Sequence, residues 1–123
     1  MKLRILGNTL RLRVSKGELT QLATHAFVED SIRFAGHARL VYRLEVGGEV
    51  FGAQYAGDRI CVRVPLSAMR RWASDDEVSM RGAQPLDDGG ALEILVEKDF
   101  ECLKPREGED PSDLFTNPAK TAG

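Results

Sequence analysis

The same order of strand and helix patterns occurs twice along this chain of 123 residues. Two turn-forming pairs, Gly7-Asn8 and Gly57-Asp58, lie fifty positions apart, and each joins two segments in which polar and apolar residues alternate. A helical pattern and two further strand patterns follow each pair. Self-similarity at a fixed spacing constrains the choice of fold more strongly than composition does. We therefore predict a duplicated strand–strand–helix–strand–strand unit, with pseudo-repeats at about residues 1–48 and 49–103.

The first hairpin is predicted from alternation with a period of two, which is typical of strands with one buried face. In residues 9–14, Leu10, Leu12 and Val14 share one face, whereas Arg11 and Arg13 share the other. A two-residue Gly-Asn connection to residues 2–6 is typical of a tight β-turn. The remaining strands are predicted at residues 27–34, 39–46, 50–56, 59–64, 77–81 and 91–100, with a turn-rich stretch at 82–90.

Two short helices are predicted, one in each half. Ser15 followed by Glu18 forms a capping-box pattern at the start of the first helix. The second helix opens at Pro65 or Ser67 and carries Met69 and Trp72 on its apolar side. We expect the first helix to cover the face of Leu10, Leu12 and Val14.

The predicted fold class is α+β, either an antiparallel barrel or a strongly curved sheet with eight strands. Residues 1–103 are expected to form a single domain, followed by a polar, acidic tail at 104–123. A tail of this composition buries too little apolar surface to order itself alone. Leu114 and Phe115 are its bulky apolar residues and are therefore the expected anchors if it docks.

Charge and cysteine content restrict the function classes. The chain has 17 Lys and Arg residues against 19 Asp and Glu residues, a net charge of -2, so we do not expect nucleic acid as a partner. A local basic surface stays compatible with this balance. The two cysteines and two histidines show no zinc-site spacing, and no cofactor is evident. With no signal-peptide or membrane-span pattern, the expected location is the cytoplasm.

Alternating charged residues on the predicted strands are the candidate binding groups. The candidate anion-binding residues are Arg11, Arg13, Arg43 and Arg63, and the candidate metal ligands are Glu45, Glu93 and Glu97. In a closed barrel these side chains would line the interior and bind a phosphorylated ligand with Mg²⁺. In an open sheet they would form cross-strand ion pairs on a solvated face. The sequence leaves both readings open, and no catalytic residue is assigned.

The C-terminal region resembles the ending of a family of small uncharacterised bacterial proteins. The pattern begins with Glu97-Lys98-Asp99-Phe100-Glu101-Cys102-Leu103 and continues through Pro105-Arg106, Glu109-Asp110, Asp113, Phe115 and Asn117-Pro118. The resemblance implies a bacterial origin and no known activity. A recurring C-terminal pattern also implies that the tail packs along the domain or meets a protein partner, with Leu114, Phe115 and Asn117 as docking residues.

Two looser similarities concern architecture. The duplicated order of elements resembles that of the CYTH, or triphosphate-tunnel, superfamily, which implies a metal-dependent enzyme acting on triphosphates. The stretch from Arg59 to Pro65, with the short helix after it and Asp76-Glu77-Val78, is similar to swapped-hairpin regulators that bind DNA as dimers. Function remains unknown at this point. A non-enzymatic binding or interaction module is the first hypothesis, and a phosphate-ester enzyme and a dimeric DNA-binding regulator are the alternatives.

Overall fold

The structure is a computed structural model that describes residues 1–74, 76–100 and 113–115. Within these ranges it contains eight strands and two α-helices, which confirms the α+β class. The first half holds β1 (Lys2–Leu6), β2 (Thr9–Val14), α1 (Lys16–His25), β3 (Phe27–Arg33) and β4 (Arg39–Val46), with a 3₁₀ turn at Ala35–His37. The second half holds β5 (Gly52–Ala56), β6 (Arg59–Val64), α2 (Leu66–Ser74), β7 (Ser79–Pro85) and β8 (Ala91–Lys98).

The strands form two separate four-stranded sheets, and each sheet takes one hairpin from each half of the chain. The first sheet has the order β1-β2-β8-β7 and the second has the order β3-β4-β6-β5. Pairing is antiparallel within each hairpin and parallel where the halves meet, at β2–β8 and β4–β6. Helix α1 carries the chain from the first sheet to the second, and α2 carries it back. The described strands do not close into a barrel.

The strand positions in the two halves correspond residue by residue. The bounds of β5 and β6 are those of β1 and β2 shifted by 50 residues, and the bounds of β7 and β8 are those of β3 and β4 shifted by 52. The sheets correspond in the same way, because each contains the first hairpin of one half and the second hairpin of the other. This arrangement fits a duplicated unit.

The hydrophobic core lies between the two sheets. Leu12 and Val14 of β2 and Ile94 and Val96 of β8 belong to the same buried cluster as Leu44, Val62 and Val64 of the second sheet. The expectation that α1 covers the Leu10, Leu12 and Val14 face is therefore corrected, because the second sheet packs against it. Helix α1 contacts mainly β3, and each helix adds one fully buried side chain to the core, Leu22 and Trp72.

The two ends of the packed pair of sheets differ in how far the core is exposed to solvent. Both helices lie at one end, which we call the helix end; the turns at residues 7–8, 34–38, 57–58 and 86–90 lie at the other, the loop end. Along β2 the exposed fraction is 0% at Val14 but 9% at Leu10. Ile5, the cross-strand neighbour of Leu10, is 60% exposed. The core is thus closed at the helix end and open at the loop end.

Local hydrogen bonds explain where the helices begin and what fixes them. The Ser15 hydroxyl accepts from the Glu18 N–H, and the Glu18 carboxylate accepts from the Ser15 N–H, which confirms the predicted capping box. In α2 the indole N–H of Trp72 donates to the carbonyl of Val78 at 3.1 Å. This bond lets a bulky, polar-tipped side chain be fully buried without an unsatisfied donor.

Strand β7 is longer than its predicted extent of residues 77–81. It continues to Pro85, and Gly82, which the sequence suggested as a turn residue, pairs with Ile94 of β8. The Phe51 ring occupies the space that a side chain at position 82 would fill. Glycine is therefore needed here because another side chain approaches the strand closely, and no turn is formed.

A short C-terminal stretch lies against the domain. The Phe115 N–H donates to the carbonyl of Asp99 at 2.9 Å, and Leu114 is 8% exposed. The Asp113 carboxylate accepts from the Gly17 N–H at 3.0 Å, in the first turn of α1. Asn117, the third residue predicted to dock, lies outside the described residues.

Candidate functional site

The charged residues singled out from the sequence lie on the outer faces of the two sheets. Their neighbours in each strand point into the core, so the space between the sheets is filled by apolar side chains. The first sheet carries Arg11, Arg13, Glu93 and Glu97, and the second carries Arg43, Glu45 and Arg63. The structure therefore brings these residues together in two separate groups, one on each sheet.

In the first group, Glu97 is the acceptor for both arginines of β2. Arg11 and Arg13 each donate through Nε to the same carboxylate oxygen, and the Arg13 distance is 3.0 Å. The Glu97 side chain is only 13% exposed. Burial raises the pKa of Glu97, but the two arginine hydrogen bonds outweigh it, so the pKa lies below its ordinary value. Glu97 is thus a charged carboxylate at neutral pH.

In the second group, Glu45 occupies the position equivalent to Glu97. The Cys61 thiol donates to its carboxylate at 2.8 Å, and Nη2 of Arg63 donates to the same oxygen at 3.3 Å. The thiol hydrogen bond is the main cause that lowers the pKa of Glu45, with Arg63 and Arg43 adding to it. Burial, together with the neighbouring carboxylate, raises the pKa of Cys61 to about 11. The thiol is therefore protonated at neutral pH and is a poor nucleophile.

The candidate metal ligands are not gathered at one point. Glu45 lies on the second sheet, whereas Glu93 and Glu97 lie on the first. Across the described ranges, no group of three or more His, Cys, Asp and Glu residues is placed to hold a metal ion. The anion-binding and metal-binding roles of these residues remain predictions.

The opening at the loop end forms a cleft that the sequence analysis did not identify. It has a volume of about 340 Å³ and lies between the inner faces of the two sheets. We call it the loop-end cleft; its apolar lining consists of Ile5, Leu10, Ala53, Tyr55, Ile60, Leu86 and Leu92. Concave, mainly apolar sites of this size are the usual form of a binding site. In the sequence, all of these residues except Leu86 resemble ordinary core positions of alternating strands.

Two hydrogen bonds fix the walls of the loop-end cleft. The Asn8 side-chain amide donates to the carbonyl of Ala91 at 2.7 Å and ties the β1–β2 turn to β8. The Gln84 side-chain oxygen accepts from the Ala53 N–H at 3.0 Å and ties the edges of the two sheets together. The cleft is thus built from connected strands and is preformed.

Exposed apolar side chains at the loop end belong both to the lining of this cleft and to its surroundings. Tyr55 is 71% exposed, and Leu6 is 67% exposed. Ile32 and Phe34, at the end of the β3–β4 hairpin, are 50% and 57% exposed. Exposed apolar side chains grouped at one end of a domain are typical of an interaction surface. The loop end is therefore the leading candidate site in the described structure.

Comparisons with known proteins identify the family but no activity. No described helix has the length and apolar character needed to cross a membrane. No curated protein and no solved structure gives a significant match to the chain. A family model described as a family of unknown function, DUF7009, matches residues 1–119, which is nearly the whole sequence. The chain therefore belongs to the DUF7009 family.

Proposed function

We propose that this protein is a non-enzymatic binding module whose protein partner docks at the loop end. The observation that supports this most is the loop-end cleft, which is apolar, preformed and open to solvent. At the helix end, the described strands are fully buried at Val14 and Val64. A partner that inserts an apolar side chain between Ile5 and Tyr55 would remove both from water.

The extent of the apolar surface favours a protein over a small molecule. A small ligand would cover the cleft alone, but Leu6, Ile32 and Phe34 lie outside its lining and are also exposed. Protein interfaces combine a central pocket that takes an anchor side chain with a surrounding ring of contacts. Burial of apolar surface contributes about 25 cal/mol per Å², so the ring residues would add to the affinity.

Site-specific photo-crosslinking tests this proposal. Tyr55 is replaced by the photoreactive aromatic residue p-benzoylphenylalanine, and the full-length protein is irradiated in the cells that produce it. A matched control carries the same residue at Thr20, which is exposed on α1 at the helix end. We expect a discrete protein adduct from position 55 but none from position 20.

The variant Ile5→Asp distinguishes specific docking in the cleft from non-specific hydrophobic association. Ile5 is 60% exposed, so the change should leave the fold intact while placing a charge in the cleft. The adduct at position 55 should then disappear. The proposal fails if both positions give the same adducts, if Ile5→Asp leaves the adduct unchanged, or if the adduct is a second copy of this chain.

A DNA-binding regulator is a second candidate, and the distribution of charge on the sheets favours it. On the outer face of each sheet, basic residues outnumber acidic ones by five to two. The first sheet carries Lys2, Arg4, Arg11, Arg13 and Arg81 against Glu93 and Glu97. The second sheet carries Arg33, Arg39, Arg43, Arg59 and Arg63 against Glu29 and Glu45. The exchange of hairpins between sheets also agrees with the similarity to swapped-hairpin regulators. Binding that falls steeply with added salt would support this candidate, and salt-independent binding would exclude it.

The phosphate-ester enzyme has less support from the geometry. Its proposed residues lie on two separate outer faces, and Glu45 and Glu97 are already held by arginines. An enzyme of this kind needs cationic and metal-binding groups converging on one phosphate. The enzyme hypothesis therefore ranks below both binding hypotheses. If the parent protein hydrolyses triphosphate in the presence of Mg²⁺ and the Arg13→Ala variant does not, that order is reversed.

A further inference from the structure

Two arginines face each other at the end of the β3–β4 hairpin. Arg33 is the last residue of β3, and its cross-strand partner is Arg39, the first residue of β4. Both are exposed. Like charges placed directly opposite each other on neighbouring strands destabilise a sheet. A pair of this kind is therefore a position where an external anion would be stabilising.

The charge of this pair is not neutralised within the described structure. Neither Arg33 nor Arg39 forms an ion pair with any carboxylate of the described residues. Further along the same face, Arg43 and Arg59 both pair with Glu29, at 3.8 and 3.5 Å. The arginine pair at the hairpin end thus differs from its neighbours in lacking an internal counter-charge.

The turn between the two arginines has a fixed and strained shape. The Phe34 N–H donates to the carbonyl of Ala38 at 2.7 Å and closes the turn. Gly36 and His37 both have positive φ angles, 75° and 62°. A non-glycine residue in this conformation costs free energy, and such residues concentrate at functional sites. The turn therefore fixes the backbone positions of Arg33, Phe34, His37 and Arg39 relative to one another.

These residues line a concave surface. Its volume is about 470 Å³, and it is bounded by Arg33, Phe34, Gly36, His37, Ala38 and Arg39. None of these residues lines the loop-end cleft. The site therefore lies outside the loop-end cleft itself, and it shares Phe34 with the apolar residues around that cleft.

We propose that this hairpin turn binds a mononucleotide. Arginine side chains present paired N–H donors that match phosphate oxygens, and two of them lie at one edge of the site. Phe34 is 57% exposed beside them and offers a flat apolar face on which a base can stack. A phosphate and an aromatic ring joined by a short linker would use both features, whereas inorganic phosphate would use only the arginines.

Titration of the isotope-labelled full-length protein with 5′-AMP, followed by NMR, tests this inference. Saturable shifts are expected for the amides of residues 33–39, with weaker binding of inorganic phosphate and of adenosine. In Arg39→Gln the affinity for AMP should fall roughly ten- to hundredfold, because a hydrogen bond to a charged group is lost. Arg81→Gln is the matched control, because Arg81 is an exposed arginine of the first sheet whose cross-strand partner is Leu95. This variant should bind AMP with unchanged affinity.

The outcomes that overturn the inference are distinct. Equal affinity in the parent protein and in Arg39→Gln, or shifts located away from residues 33–39, would show that the arginine pair is not the site. If a single-stranded oligo-dA binds more tightly than AMP, and its affinity falls steeply with added salt, the ligand of this site is a nucleic-acid chain and the mononucleotide proposal is wrong. Loss of AMP binding in Ile5→Asp would show that the site is not separate from the loop-end cleft.

Discussion

At the residue scale, one glutamate organises the outer face of each sheet. Glu97 accepts hydrogen bonds from Arg11 and Arg13, and Glu45 accepts from Cys61 and Arg63. In both cases the glutamate lies on a strand of one half and its donors lie on the parallel strand of the other half. These contacts therefore join the two halves of the chain as well as neighbouring strands.

The variant Glu97→Gln should be less stable than the parent protein, and the difference should depend on pH. The pKa of Glu97 in the folded protein lies below the value of 4.5 expected for the unfolded chain. Its contribution to stability is therefore present above pH 4.5 and is lost as the pH falls through the folded pKa. We expect about 1–2 kcal/mol of destabilisation at pH 7, shrinking towards pH 3, measured by urea unfolding across that range.

Glu93→Gln is the matched control, because Glu93 is exposed on the same strand and forms no ion pair within the described residues. It should change the free energy of unfolding by less than about 0.5 kcal/mol. If the two variants lose the same stability at pH 7, or if the Glu97→Gln difference does not depend on pH, the role given to Glu97 is contradicted.

The sequence could predict the faces of these residues but not their partners. Alternation of polar and apolar residues places Arg11 and Arg13 opposite Leu10 and Leu12, as the structure shows. The pairing with Glu97 depends on the parallel register of β2 and β8, which are more than eighty positions apart. A long-range register is set by the packing of the whole core, so local alternation does not contain it.

At the scale of elements, the C-terminal stretch supports the start of helix α1. The Asp113 carboxylate accepts the Gly17 N–H in the first turn, where the helix dipole favours a negative charge. Leu114 is buried beside it, and the Phe115 ring packs edge-on against Phe100 at a centroid distance of 5.9 Å. The stretch thus covers part of the domain, and its role in docking can be tested by stability.

Leu114→Ala should destabilise the protein by about 2–3 kcal/mol if this stretch is an integral part of the fold, because buried leucine is replaced by a smaller side chain. Thermal unfolding monitored by circular dichroism measures the change. Leu66→Ala is the control, since Leu66 is 45% exposed at the start of α2. Equal melting temperatures for Leu114→Ala and the parent protein would show that the stretch contributes nothing to stability.

Most elements could be predicted from local patterns, and the exception has a physical reason. Ser15 and Glu18 are three positions apart and specify the start of α1 by themselves. Gly82, in contrast, is a glycine because Phe51, thirty-one positions earlier, packs against it. Its sequence neighbours contain no signal of that contact, so the extent of β7 could not be predicted.

At the scale of the whole molecule, the exchange of hairpins determines what is exposed. An order of two strands, a helix and two strands fits a single barrel, a curved sheet or two sheets, because local patterning is the same in all three. Net charge also averages over the molecule: the total of -2 does not reveal that the sheets carry mainly arginine on their outer faces. The loop-end cleft arises only when the β1–β2 and β7–β8 hairpins of the first sheet are assembled with the β5–β6 hairpin of the second.

The measurement that tests this arrangement most directly is solvent accessibility of methyl groups in the free protein, probed by NMR with a soluble gadolinium chelate. Ile5 and Leu86 line the loop-end cleft and are 60% and 38% exposed, whereas Val14 and Val64 at the helix end are fully buried. We predict strong relaxation of the first pair and none of the second. Equal protection of all four would mean that the loop end is closed, and the binding surface proposed there would not exist.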